Sequence, residues 1–161
     1  MNRAKELVQL LRHGGLRCRL GAILLPKVTL GKEATLATQL DIHYLDFAAD
    51  LLTTIPQDAA FLSLTIDRML DRLDTLANTP TDRDCILLAN YDLPLSRMPY
   101  EHRLLLWDHL LLDFPYKKNA LILALPGVLP HTALLPEGLT RTEWLTANRL
   151  VTLSQGNPLT L

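Results

Sequence analysis

The chain has 161 residues, of which 48% are hydrophobic, and its 16 Lys and Arg against 17 Asp and Glu leave a net charge of −1. That length suits one domain with a real core, and that hydrophobic content excludes a disordered polymer. No apolar run approaches the ~20 residues that a membrane-spanning helix needs.

The near-neutral total conceals an asymmetry. Residues 1–33 carry seven Lys or Arg and two Glu, whereas residues 41–113 carry thirteen acids and five Arg. A basic end on an acidic body suits an oriented partner, either nucleic acid or an acidic protein surface. Arg12, Arg17 and Arg19 are the candidate phosphate contacts, although no Arg/Lys run with interleaved aromatics supports tight nucleic-acid binding.

The spacing of Leu7, Leu10 and Leu11 predicts an amphipathic helix from Asn2 to Arg12, ended by Gly14-Gly15. It lacks the uninterrupted apolar stretch and small-residue cleavage site of a signal peptide. The run from Cys18 to Leu25, closed by Pro26, reads as a buried strand. The segment from Pro26 to Gly31 reads as a loop, and Lys32 to Leu40 as a helix. Ile42 to Phe47 reads as a second strand.

After Pro56, residues Leu62, Ile66, Met69, Leu70, Leu73 and Leu76 recur at helical spacing with acids and Arg between them. Asn78-Thr79-Pro80 stops that helix. Cys85 to Ala89 reads as a third buried strand, and Pro94 and Pro99 bracket a loop. A helix over Tyr100–Phe114 carries more Leu than one core face absorbs, so Leu106, Trp107 and Leu110 are candidate interface residues.

Ala120 to Leu125 reads as a fourth buried strand ended by Pro126-Gly127. Thr140 and Glu143 have the spacing of a helix-capping pair for a short helix to Asn148. Leu150 to Leu153 reads as an edge strand, and 154–161 as a frayed tail. The whole is one α/β domain with a mostly parallel sheet between two helix layers. Cys18 and Cys85, each in an apolar run, read as buried thiols of a reducing cytoplasm.

Parallel sheets place their sites at the carboxyl ends of the strands. After the first strand stands Pro26-Lys-Val-Thr-Leu-Gly31-Lys32-Glu33. A phosphate-binding loop has the form G-x-x-x-x-G-K-[ST] at this place. Gly31 and Lys32 fit, but Pro26 replaces the first Gly, and Glu33 puts a carboxylate where a Mg²⁺-binding hydroxyl belongs. The third strand should end in a Mg²⁺-holding acid; it reads Ile86-Leu-Leu-Ala89-Asn90-Tyr91-Asp92, with Ala89 or Asn90 in that place. A neutral side chain cannot supply the charge that orients the metal. The expectation is a degenerate P-loop domain with no cofactor and no hydrolysis. Gly31, Lys32, Asn90 and Asp92 are what remains of the nucleotide site.

The segments GKEATLATQL, IHYLDFAADLLTTIP, LLANYDL and LILALPG together resemble the BrxF family, the small P-loop proteins of type 3 BREX bacteriophage-exclusion systems. In that family's pattern a regular GK[ST] loop precedes an LLDN-x-E segment and an apolar strand ending in Pro-Gly. Lys32 matches the loop Lys, Asn90 the Asn of LLDN-x-E, and Asp92 its acid. Pro26, Glu33 and Ala89 depart from the pattern at the catalytic positions. The resemblance implies a role in anti-phage defence among protein partners of one operon, or self-association.

Two other readings stand beside it. One is an active nucleotide-binding protein that uses Lys32, Thr35 and Asp92 in unusual roles. The other is a DNA-contacting accessory protein that uses Arg3, Lys5, Arg12, Arg17 and Arg19. His102 and His109, seven residues apart on one helix, lack the spacing of a metal pair. Asp46 and Asp50 have the spacing of paired carboxylates on a short helix, but solvated acids are the commoner case.

Overall fold

A computed structural model describes residues 2–13, 15–16, 18–54, 65–112, 118–127 and 149–153. Arg17, Leu62, the predicted helix over 140–148 and the tail 154–161 lie outside the described residues.

Among the described residues, five strands form one sheet: β1 (Leu20–Leu25), β2 (His43–Asp46), β3 (Cys85–Ala89), β4 (Ala120–Pro126) and β5 (Leu150–Thr152), in the order β2-β3-β4-β1-β5. Every pairing is parallel. The interior strands β1, β3 and β4 are apolar along their length because both of their faces are covered. The edge strand β2 is only partly buried, and its Tyr44 is exposed.

Among the described residues, six helices connect or flank the strands: α1 (Asn2–His13), α2 (Glu33–Leu40), α3 (Phe47–Leu52), α4 (Ile66–Asn78), α5 (Asp92–Ser96) and α6 (Tyr100–Leu112). From β1 the chain crosses through α2 to the far edge at β2, then returns strand by strand through β3 to β4. Crossovers of one hand that travel in opposite directions put their helices on opposite faces. The core divides that way. Ala4, Leu7, Val8 and Leu11 of α1 join Leu36, Ala37 and Leu40 of α2 against Ile23, Leu87 and Ile122. Phe47, Met69, Leu73, Leu95, Leu106, Trp107 and Leu110 pack on the other face against Leu24, Leu88 and Leu123. Cys85 belongs to the first cluster and Cys18 to the second, so the sheet separates the two cysteine side chains.

Two short helices, α3 and α5, follow β2 and β3. In α3, the Asp46 carboxylate caps the helix by accepting from the Ala49 N–H at 3.1 Å, and Asp50 is bound through two nitrogens of Arg72 on α4. Asp46 and Asp50 are therefore structural groups rather than loose solvated acids. In α5, Pro94 does not mark a loop. It is the third residue of the helix, where a missing N–H costs nothing because the first-turn donors have no partner within the helix.

The α6 helix starts where expected, but its apolar excess has a different explanation. Leu106, Trp107 and Leu110 have no exposed surface and belong to the core. Trp107 meets Tyr91 edge-on at 6.4 Å between ring centres, and Tyr91 meets Phe47 at 5.0 Å. These three side chains are filled positions beneath the helix, not a free surface. Among the side chains of α6 that the structure describes, the exposed large apolar ones are Tyr100 and Leu105.

Candidate functional site

The loop after β1 closes on itself. Residues Lys27–Thr29 form one 3₁₀ turn. The Thr29 N–H donates to the Pro26 carbonyl at 3.0 Å, the Leu30 N–H to Lys27 at 3.3 Å and the Lys32 N–H to Thr29 at 3.0 Å. The Thr29 hydroxyl, which is buried, donates to the same Pro26 carbonyl at 2.9 Å. A phosphate-cradling loop aims such N–H groups outward at its ligand. Here three of them serve the loop's own carbonyls, and Pro26 has none to offer.

Gly31 then takes φ +85°, a left-handed conformation that turns the chain into α2. A side chain there would meet nothing within 4 Å, so the glycine answers to backbone conformation and not to space. Lys32 caps α2 without a side-chain bond, and Glu33 opens the helix. A carboxylate at the first helical position is favoured by the helix dipole. Glu33 thereby brings an internal negative charge to the helix end that a phosphate would need.

On the far side of the β4 terminus, β3 ends at Ala89, and Asn90 takes φ 58°. Asn tolerates this region better than other side chains. The left-handed residue redirects the chain so that Tyr91 enters the core and Asp92 starts α5 half-buried.

These turns enclose a cleft of about 620 Å³ lined by Lys27, Leu30, Gly31, Glu33, Asn90, Asp92 and Pro126. Its volume is that of a small-molecule site, roughly 300–1,000 Å³. It sits where the connection leaving β1 and the one leaving β3 diverge to opposite faces of the sheet, the place where open parallel sheets bind ligands. Of the sequence-predicted residues, Gly31, Asn90 and Asp92 come together here. Lys32 is exposed and does not line the cleft.

Glu33 is 9% exposed, and no hydrogen bond or ion pair is formed by its carboxylate among the described residues. Burial raises the Asp92 carboxyl above the ordinary carboxylate value, and the Glu33 charge raises it further. The Tyr44 phenol is raised by burial, then by Asp46 and Glu33. Leu30, which lines the cleft, is exposed, as are Val28, next to Lys27 in the chain, and Leu93, next to Asp92. Glu33 was read from the sequence as a defect. That it lines one cleft together with Asp92 is what the sequence did not reveal.

Arg12 and Arg19 lie at the opposite end of the sheet, where the strands begin. The Arg12 guanidinium donates to the carbonyls of Asp41 at 2.9 Å and Arg83 at 2.7 Å. Arg19 donates to the carbonyls of Leu11 at 2.7 Å and Lys118 at 3.3 Å. Both tie together segments that precede the strands, so their guanidiniums are committed to the fold. Among the described residues, no group of three or more His, Cys, Asp or Glu could hold a metal ion, and no helix is long and apolar enough to cross a membrane. No protein-family model, curated protein or solved structure matches the chain.

Proposed function

We propose that the chain is a P-loop-like domain that has given up nucleotide chemistry and serves as an interaction or regulatory subunit. The observation that carries this reading is the closed loop after β1, with Glu33 buried at the start of the following helix. Three loop N–H groups are spent on Pro26, Lys27 and Thr29, and the helix end carries its own anion. A triphosphate brought there would meet Glu33 and Asp92 in a partly desolvated cleft, where like charges repel strongly. Ala89, which ends β3, is fully buried and supplies no metal-binding oxygen from its side chain.

The strand order supports the P-loop-like part of the reading. With β1 between β4 and β5, the loop after β1 stands across the β4 terminus from the end of β3. A phosphate loop and a metal-binding strand end require that juxtaposition. The setting we attach to it is that of the family the sequence resembles: a bacterial anti-phage defence assembly in the cytoplasm, with partners from the same operon. The test is phosphate release from ATP and Mg²⁺ by the purified protein. The expected rate is that of buffer; turnover that disappears in Lys32→Ala would overturn the reading. Co-expression with neighbouring operon products tests the setting, and a chain that co-purifies with none of them and stays monomeric would leave it without support.

A further inference from the structure

We draw no further inference here: the strongest candidate, the buried Cys18 thiol that faces the Arg149 guanidinium at 3.4 Å between the start of β1 and α6, is a single cysteine beside which nothing among the described residues points to a ligand or an oxidant, and both groups are already bonded to backbone carbonyls of the fold, Cys18 to Leu110 and Arg149 to Leu20.

Discussion

Glu33, the first residue of α2, and Asp92, the first residue of α5, line one cleft from opposite sides of the β4 terminus, and the charge of Glu33 raises the Asp92 carboxyl. Burial raises it more. An acid whose folded pKa lies above its unfolded value costs stability wherever it is ionised, and the cost vanishes once both states are protonated. Asp92→Asn is therefore expected to raise Tm at pH 7. The gain should shrink as pH falls through the folded value and disappear below the unfolded carboxylate value of about 4. Thermal melts of both proteins from pH 3 to 8 check this, and a gain that persisted at pH 3 would show a cause other than charge.

Gly31→Ala tests the turn that builds the cleft. The native φ of +85° is strained for any side chain, although nothing stands within 4 Å of the added carbon. The expected loss is about 1–2 kcal/mol, the left-handed penalty for an L-residue. Urea denaturation reads it directly. A neutral substitution would mean that the loop relaxes to another conformation, and the Thr29 and Lys32 amide exchange rates would then rise.

How far the sequence disclosed these features depends on the kind of force involved. Hydrophobic burial writes itself into composition, so β1, β3 and β4 are legible as uninterrupted apolar runs, and the Gly31 turn is legible because few residues adopt its φ. Short polar devices are not legible in that way. The α3 helix exists because Asp46 caps it and Arg72 grips Asp50 from another helix, a contact between residues far apart in the chain. The α5 helix hides behind Pro94, since a proline signals a break unless it falls in the first turn. The apolar stripe of α6 suggested a surface because the sequence does not show that α4 packs beside it, with the aromatic ring of Tyr91 beneath.

Asn119 is the strongest example of an unsignalled structural residue, and it supports a prediction. It is buried, its side-chain amide donates to the carbonyls of Leu76 at 2.9 Å and Thr79 at 2.5 Å, and its carbonyl accepts from the Thr81 hydroxyl at 3.1 Å. These bonds fasten the end of α4 to the start of β4. Asn119→Ala removes three of them at ~1 kcal/mol each, so a loss of about 3 kcal/mol is expected. A loss under 1 kcal/mol by chemical denaturation would show that water replaces the amide.

Substitutions along α6 should separate core from surface. Leu106→Asp and Leu110→Asp place a carboxylate in the apolar cluster and should abolish the folded state, because each site has no exposure. Leu105→Asp, at a position 50% exposed, should change stability by less than ~0.5 kcal/mol. Near-ultraviolet circular dichroism, which reports the packing of Trp107, distinguishes the outcomes. A well-folded Leu106→Asp protein would contradict the placement of α6 against the sheet.

Arg12 decides between a structural and a nucleic-acid role for the basic amino-terminal segment. Its guanidinium is shared between the carbonyls of Asp41 and Arg83, which precede β2 and β3, so it joins α1 to the two turns at that edge of the sheet. Both bonds come from Nη2, which fixes the guanidinium against these two turns, and thirteen acids between residues 41 and 113 repel a polyanion. Arg12→Met keeps most of the aliphatic stem and removes both bonds. At a partly exposed site, the expected destabilisation is about 1–2 kcal/mol. The same substitution should leave DNA affinity unchanged, with binding by the wild-type protein weak at physiological salt and falling steeply as salt increases. Fluorescence anisotropy with a short duplex, measured beside the denaturation curve, reads both quantities on one pair of proteins. Unchanged stability together with a large loss of affinity and a shallower salt slope would reverse the assignment, since a phosphate contact, and not a carbonyl staple, would then be what Arg12 supplies.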